Sequence, residues 1–479
     1  MINKKTVFVV IILQTFILIA AVLIGHSFGR SRSWSSTLSE DKIELISRAI
    51  EVIVNNYKDT ESLSTEKLTY GAIKGITESL NDPYSQFLEP EMYKEIIDDT
   101  SGTFGGLGIE IGITKDDAQE RLTVISVFEG NPAKEAGLEP GDYIMEINGE
   151  STYGISLYEA KRKLRGNPGT KVKLKIMREH EDEYLNFTIT RGTIHVKTVK
   201  HRILGDNVGY MRITQFTDTT SKDVDNALEY FDKANVKGII LDLRSNPGGT
   251  LKSAVEVASS FLKKGQLIVY TKGRRKDDDK KFFSEKSKSN TQTPLIVLID
   301  KWSASGSEIV VGAIKDYKRG IIIGDGKSTF GKGSVQTIFP LDNKSGMKLT
   351  VAHYYTPNGN NINKVGIKPD IEYPSPNPSE IRMFRSLYNS KIFNDFIAKS
   401  DDNFLERLES SQNSQEKKKF NDFKKMLEKE NIILNEDLIK YALAQRTKNQ
   451  DDEYKFDPVI RFALDHLKKQ LNEQLTLKS

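Results

Sequence analysis

The sequence predicts a multidomain α/β protein with an N-terminal membrane anchor and a helical C-terminal region. Three observations predict this class: an apolar run near the N-terminus, short alternating segments from residue 102, and strand and helix patterns that alternate over about 195–375. They divide the 479 residues into five expected units, which are an anchor (1–30), a small helical domain (38–95), a β-rich domain (96–182), an α/β core (190–375) and a helical C-terminal region (376–479).

The apolar run covers residues 7–25 and contains only two polar side chains, Gln14 and Thr15. Its length approaches the roughly 20 residues that a helix needs to cross a bilayer, and exceeds the about 7–15 apolar residues of a signal peptide. We therefore predict an uncleaved signal anchor, with a cleaved signal peptide as the alternative. The anchor predicts a single-pass protein of the cell membrane whose domains are extracytoplasmic, either periplasmic or extracellular.

The composition argues against several functional classes. The formal net charge is only +4, from 70 Lys and Arg against 66 Asp and Glu, which gives no reason to expect a nucleic-acid partner. The chain contains no cysteine, so it has no disulfide, thiol nucleophile or cysteine-based metal site. Its six histidines lack the spacing of metal ligands. We expect neither a metal nor another cofactor.

The first two domains differ in their periodicity. Residues 41–57 and a second segment around 68–76 have apolar side chains at helical spacing, and Asn81-Asp82-Pro83 ends the second helix. From residue 102 onwards the pattern changes to short alternating runs that are typical of strands. These predicted strands lie near 108–111, 122–125, 143–149 and 172–176, with one helix near 156–164.

The third region alternates strands with helices, which predicts an α/β core. Its apolar runs at 238–243, 295–299 and 321–323 are typical of strands buried on both faces. Helices are expected around Val224 to Phe231, at about 251–262 and at about 305–317. Between them, 274–288 is predicted to be an exposed charged loop. Beyond residue 374 the chain becomes helical and rich in lysine, as expected for solvated helix faces.

The segment 303–308 contains the first candidate for chemistry. Ser303, Ser305 and Ser307 lie between a predicted strand and a predicted helix, so a hydroxyl here is at a helix N-terminus. Each of the three serines could instead be an ordinary helix cap, and Glu308 a favourable carboxylate in the first turn. Spacing alone does not separate these interpretations.

Backbone N–H groups near these serines could stabilise an oxyanion. The N–H of Gly306 is one expected donor. Gly248 or Gly249 could provide the second, because glycine lets a substrate approach the backbone closely after a buried strand.

Lys332 lies in a glycine-flanked turn before a strand-like segment that contains Gln336. A lysine can act as a general base only if its pKa falls well below the usual value of about 10.4, and burial among apolar groups can cause this. Gln336 is neutral, so it could orient the amine without restoring its charge. The alternative is a solvent-exposed turn lysine. A serine with a neutral lysine predicts a Ser-Lys hydrolase.

Taken together and in order, the motifs resemble those of the C-terminal processing (tail-specific) serine peptidases, which contain a PDZ domain. The resemblance covers most of the chain and rests on these segments: Asn81-Asp82-Pro83-Tyr84-Ser85, Gly106-Leu107-Gly108-Ile109, Asn131-Pro132-Ala133, Ala136-Gly137-Leu138, Gly141-Asp142, Leu241-Asp242-Leu243-Arg244, Gly248-Gly249, 303–308, 329–336 and Tyr354-Tyr355-Thr356-Pro357. It implies that the β-rich domain is the PDZ domain and that the core is of the crotonase/Clp type.

The resemblance also implies roles for single residues. The family's nucleophile is the serine three residues before the glutamate, which corresponds to Ser305, and its base and orienting residue correspond to Lys332 and Gln336. Two features depart from the family pattern. Gly306 replaces a more usual alanine, and the segment 324–332 is longer than is typical.

For the PDZ domain, the resemblance implies that Gly106, Leu107, Gly108 and Ile109 form the loop that binds a peptide's terminal carboxylate. Arg165 matches an arginine that in some relatives couples the PDZ domain to the active site.

The expected function is therefore a membrane-anchored extracytoplasmic endopeptidase that acts on proteins or peptides with accessible C-termini. A non-catalytic PDZ scaffold with an inactive core is one alternative, and an acyl-CoA enzyme of the crotonase type is another. A homo-oligomer that forms through the helical regions is an open alternative to a monomer.

Overall fold

A computed structural model describes residues 40–476 except 117–118, 129, 180, 182, 288–289, 374–376, 402, 411–413 and 447–453. The predicted anchor, residues 1–30, lies outside the described residues. Among the residues that are described, no helix is long and apolar enough to cross a membrane.

The N-terminal region contains helices α1 (Glu40–Asn56), α2 (Thr65–Glu78) and α3 (Pro90–Ser101) and the short strand β1 (Gln86–Leu88). The predicted break after the second helix is confirmed. Asn81 has a positive φ of 51°, and the Asp82 carboxylate accepts hydrogen bonds from the N–H of Tyr84 and the hydroxyl of Ser85. This turn directs β1 towards the core.

The β-rich domain has a core of its own, formed by side chains such as Val124, Ile144, Val172 and Leu174. Its antiparallel sheet has the strand order β3-β4-β5-β7-β8, with β6 beside β5, while β2 pairs with β9. Its elements are β2 (Thr103–Gly106), β3 (Ile109–Asp116), β4 (Gln119–Val127), α4 (Pro132–Glu135), β5 (Tyr143–Ile147), β6 (Glu150–Ser151), α5 (Leu157–Leu164), β7 (Lys171–Met177), β8 (Leu185–Thr190) and β9 (Gly192–His195).

The α/β core contains two sheets. A six-stranded sheet has the order β10-β11-β12-β15-β16-β19 and is parallel from β11 onwards, whereas β18 in the second sheet pairs with β1, β13 and β17. The elements are β10 (Val199–Leu204), β11 (Val208–Ile213), α6 (Thr220–Lys233), β12 (Gly238–Asp242), α7 (Leu251–Ser259), β13 (Leu267–Gly273), β14 (Lys281–Phe283), β15 (Leu295–Leu298), α8 (Gly306–Asp316), β16 (Ile321–Gly324), β17 (Ser334–Pro340), β18 (Gly346–Tyr355) and β19 (Ile371–Glu372).

The predicted strands and helices of this core are present, with one correction. The segment 274–288 is not simply a charged loop, because its residues 281–283 form β14, which pairs antiparallel with β13. Val269 of β13 pairs with Phe282, so a strand forms although the surrounding segment is rich in charged side chains.

The C-terminal region consists of α9 (Pro378–Asn389), α10 (Lys391–Ala398), α11 (Phe404–Glu409), α12 (Ser414–Lys429), α13 (Glu436–Ala444) and α14 (Pro458–Thr476). Most of its apolar side chains, including Phe393 and Phe423, form a separate core. In contrast, Ile460, Ala463 and Leu467 of α14 pack against the six-stranded sheet. The last helix therefore covers one face of the α/β core.

Candidate active site

Ser305 follows β15 and immediately precedes α8. Its backbone has φ 53° and ψ −110°, a conformation that costs a non-glycine residue about 1–3 kcal/mol. The two neighbouring serines are buried and hydrogen-bonded to the backbone: Ser303 Oγ donates to the carbonyl of Leu243 at 2.8 Å, and Ser307 Oγ donates to that of Asn246 at 3.0 Å. Of the three, Ser305 lines the cavity described below.

Glu308 joins the segment that carries Ser305 to the segment that carries Lys332. Its fully buried carboxylate accepts four hydrogen bonds, from Thr329 Oγ1 at 2.6 Å and from the N–H groups of Gly331, Ser305 and Lys332 at 2.7, 2.8 and 2.9 Å. Burial raises the pKa of Glu308, although these four donors oppose the shift. Glu308 is thus a shared anchor for Ser305 and Lys332.

Residues 244–249 contain the predicted oxyanion donors Gly248 and Gly249 and are here called the oxyanion turn. They pass directly beside Ser305. A Cβ added to Gly248, which has φ +98°, would lie 2.7 Å from Ser305 Cβ and 2.7 Å from the nitrogen of Gly306. The N–H of Gly248 donates to Asn246 Oδ1 at 2.8 Å. The N–H groups of Gly249 and Gly306, in contrast, have no hydrogen-bond acceptor in the described part of the chain.

Lys332 lies between β16 and β17, and its side chain is partly buried. Its Nζ is 5.1 Å from the centroid of the Tyr84 ring and makes no hydrogen bond or ion pair with the described residues. Burial lowers the pKa of Lys332, the charge of Lys348 lowers it further, and Glu308 opposes both effects. The hydroxyl of Tyr354 donates to the backbone carbonyl of Lys332, which fixes the backbone of this residue.

Gln336 lies on β17 next to a bulge in its pairing with β18. Its Nε2 donates to Ser334 Oγ at 2.9 Å and to Thr350 Oγ1 at 3.2 Å. These two bonds set the orientation of the amide and leave Oε1 free to accept a hydrogen bond.

One cavity of about 650 Å³ brings most of these residues together. Ser305, Lys332, Gln336, Gly248 and Gly249 all line it. The remaining walls come from α3, from β17 and β18 of the second sheet and from the loop after β11, and include Ile96, Asp99, Thr100, Phe216, Lys348 and Tyr354. Ser305 and Lys332 thus border the same space, although no hydrogen bond joins their side chains.

The β-rich domain has a second, smaller cavity of about 230 Å³ between β3 and α5. Its walls are mainly apolar, and the loop from Gly106 to Ile109 closes one end. The carbonyls of Leu107 and Gly108 accept hydrogen bonds from Ala133 and Phe128, whereas the N–H groups of Leu107 and Gly108 have no acceptor within the described residues. These free N–H groups could bind an anion.

Arg165, at the end of α5, lies between the two cavities. Its guanidinium is 3.9 Å from the centroid of the Phe104 ring, and its Nη1 is 3.5 Å from Oδ1 of Asp99. Arg165 and Phe104 line the smaller cavity, whereas Asp99 lines the larger one. A path of direct contacts therefore connects the two sites.

Residues 207–373 match the model of peptidase family S41, residues 95–177 that of the PDZ domain, and residues 26–92 that of the activating protease CtpB N-terminal domain. The carboxy-terminal-processing protease of Bartonella bacilliformis is 42% identical over 66% of this chain and 72% of its own length. The chain belongs to the C-terminal processing peptidases. It is a serine-type protease with a PDZ domain, as the motifs predicted.

Other members of this family are also similar. The carboxy-terminal processing protease CtpB of Bacillus subtilis is 38% identical over 70% of this chain and 68% of its own length. Among solved structures, the photosystem II D1 C-terminal processing protease is 28% identical, with a TM-score of 0.41, and covers 70% of this chain and 94% of that one.

Four residues of this C-terminal processing peptidase were not assigned to the site from sequence. Tyr84 and Tyr354 belong to motifs on which the family resemblance rests. The sequence therefore contained a signal for both tyrosines, although the motifs implied no role for either. The sequence suggested for Glu308 itself only the role of a favourable carboxylate in the first turn of a helix. No sequence pattern pointed to Lys348. Their contacts with Lys332 or Ser305 appear only after folding.

Proposed function

We propose that this protein is a membrane-anchored, extracytoplasmic endopeptidase that binds the C-termini of its substrates at the PDZ domain and cleaves by a Ser-Lys acyl-enzyme mechanism. The observation that carries the proposal is the single cavity lined by Ser305, Lys332, Gln336 and Gly249. The apolar run at residues 7–25 supports the anchored location.

The first step needs a neutral amine at Lys332. Burial and the charge of Lys348 both favour the neutral form, and within the described part of the chain no carboxylate pairs with Nζ. Neutral Lys332 takes the proton of the Ser305 hydroxyl while Oγ attacks the peptide carbonyl. Gln336 Oε1 is the acceptor that orients the amine, because Nε2 is already hydrogen-bonded to Ser334 and Thr350.

The negative charge that develops on the carbonyl oxygen needs preorganised donors. We assign this role to the N–H groups of Gly306 and Gly249. Gly248 is the less suitable donor because its N–H is bonded to Asn246. It acts instead as the residue without a side chain that lets the oxyanion turn lie against Ser305.

The tetrahedral intermediate collapses when Lys332 returns the proton to the leaving amine, which leaves an ester between Ser305 and the substrate's acyl group. Water then attacks this ester, with Lys332 again accepting a proton. The products are two peptides and the free enzyme.

The PDZ cavity fits the C-terminus of an apolar peptide. The N–H groups of Leu107 and Gly108 bind the carboxylate, and the apolar wall contacts the last side chain. Arg165 lies beside this cavity and reaches Asp99 of the catalytic cavity, so a bound peptide can affect the active site through this pair.

The test measures turnover of an unfolded protein with an apolar C-terminus. We expect Ser305→Ala and Lys332→Ala each to lower kcat/KM by at least about 10³-fold. The matched controls are Ser307→Ala, which loses one hydrogen bond worth about 1 kcal/mol, and Lys327→Ala, whose side chain is exposed in the same loop as Lys332. Both controls should cleave the substrate.

Unchanged turnover in either active-site variant would refute the mechanism. Binding without cleavage by the unmodified protein would instead support the scaffold alternative, and turnover of a thioester would support the acyl-CoA alternative. Amidation of the substrate's C-terminus should raise KM, because it removes the charge that the PDZ loop binds.

A further inference from the structure

Asp457, which directly precedes α14, reaches the base of the oxyanion turn. Its two carboxylate oxygens accept hydrogen bonds from Arg244, at 2.9 Å from Nη2 and 3.3 Å from Nη1. The partners are separated by 213 residues, and both are largely buried, with 16% of the Arg244 side chain and 8% of the Asp457 side chain exposed. Asp457 also caps α14, because its Oδ1 accepts from the N–H groups of Val459 and Ile460.

Arg244 is the first residue of the oxyanion turn and is held on its other side by Asp242. Nη2 of Arg244 is 2.6 Å from Asp242 Oδ2, its Nε is 3.0 Å from Oδ1, and its backbone N–H donates to the same Oδ1. Tyr210 donates a further hydrogen bond to Asp242 at 2.7 Å. The guanidinium is therefore clamped between one carboxylate at the end of β12 and one from the C-terminal region.

The other residues of the oxyanion turn connect Arg244 to the segment of Ser305 through direct contacts. Ser245 bonds to Asp300 through its N–H and its hydroxyl, both at 2.9 Å. The carbonyl of Asn246 accepts from the N–H of Ala304, which directly precedes Ser305. Gly248 then packs against Ser305 itself. Each link is a direct contact, so a shift of Arg244 would displace the N–H of Gly249.

We propose that Asp457 is a positioning residue for catalysis, which holds Arg244 and thereby the oxyanion turn in register with Ser305. It does not touch the substrate. The proposal rests on the function proposed above, and it gives the helical C-terminal region a defined part in the reaction.

The test compares Asp457→Asn with Asp437→Asn in the full chain. Asparagine at 457 retains a capping oxygen but removes the charge that pairs with Arg244. Asp437 forms a surface ion pair with Arg461 of the same helix α14, also at 2.9 Å, so its variant loses a comparable contact away from the turn. The measurement is kcat and KM per active site, with active sites counted by end-point labelling of Ser305 with a fluorophosphonate.

We expect Asp457→Asn to lower kcat about ten-fold with an unchanged KM, because oxyanion donors act only in the transition state. Asp437→Asn should leave both constants within about two-fold of the unmodified protein. An unchanged or higher kcat per labelled site in Asp457→Asn, or a change confined to KM, would overturn the proposal. Ser305→Ala in the same assay separates the two hypotheses, because unchanged turnover in that variant would refute the proposed function instead.

Discussion

The two halves of the candidate active site are held in different ways. On the nucleophile side, Ser305 and the oxyanion turn are fixed by a dense set of backbone hydrogen bonds, and Gly248 lies in contact with Ser305. On the side of Lys332, the proposed base, the backbone is fixed by Glu308 and Tyr354, but Nζ lies over the ring of Tyr84 and makes no hydrogen bond or ion pair with the described residues. The reactivity of Ser305 should therefore depend on the exact position of the atoms around it. The protonation state of Lys332 should depend on the burial and the charges around its amine.

This difference predicts two kinds of kinetic defect. Changes on the nucleophile side should lower kcat at every pH, because they displace atoms that act in the transition state. Changes around Lys332 should mainly move the pH dependence, because they alter the fraction of neutral amine. The substitutions below test this contrast, beginning with the largest expected effect.

Of these four substitutions, Gly248→Ala should be the most damaging. The added Cβ would meet Ser305 Cβ, the Ala304 carbonyl oxygen and the Gly306 nitrogen, each at 2.7 Å, so the oxyanion turn must move. We expect kcat to fall by at least about 10²-fold. The matched control is Gly265→Ala, where φ is also positive, at +84°, but no atom lies within 4 Å. It should lose about 1 kcal/mol of stability and no activity. Equal activities in the two variants would contradict this prediction.

Glu308→Gln should affect both halves at once. The amide presents an NH2 group to at least one of the four donors that the carboxylate now accepts, so a buried donor loses its acceptor. We expect about 1–3 kcal/mol lower stability and a kcat about 10²-fold lower. Glu380→Gln is the control, because Glu380 accepts from the N–H of Asn377 in a comparable capping box far from the site. Full activity in Glu308→Gln would show that Glu308 is only a helix cap.

Lys348→Gln should change the pH dependence. In the proposed mechanism Lys332 must be neutral to accept a proton, so kcat/KM should rise with pH through the pKa of Lys332. The charge of Lys348 lowers this pKa, and its removal should move the rising limb of the pH profile to higher pH. Activity would fall near neutrality and recover in alkali. Lys272→Gln is the control, because it neutralises an exposed lysine on the same sheet. An unmoved profile in Lys348→Gln would argue against charge coupling.

Gly306→Ala should have the smallest effect. The added Cβ would lie 3.1 Å from Phe216 Cδ2 and 3.3 Å from Ala254 Cβ, which requires only small adjustments, and the N–H remains. We expect kcat within about three-fold of the unmodified protein and a stability change below about 1 kcal/mol, because better helix propensity offsets the crowding. A loss of kcat above about ten-fold would mean that the glycine is required.

Periodicity and local chemistry were sufficient to predict many of the strands and helices of this protein. The buried strand β12 and helix α8 follow from short apolar runs and their spacing, which report on neighbours close in sequence. The family and the Ser305, Lys332 and Gln336 assignment follow from ordered motifs. The strand β14 was missed because its pairing with β13 depends on its partner and not on its own charged segment.

The residue types available for chemistry can be read from the amino-acid order, and the succession of motifs indicates the family. How these residues meet is visible only in the folded chain. There Glu308 joins the segments of Ser305 and Lys332, the N–H of Gly248 is bonded to Asn246, and Asp457 contacts Arg244. The physical reason is that hydrogen bonds and burial depend on distances in space, and residues such as Arg244 and Asp457 are brought together only when α14 packs on the sheet.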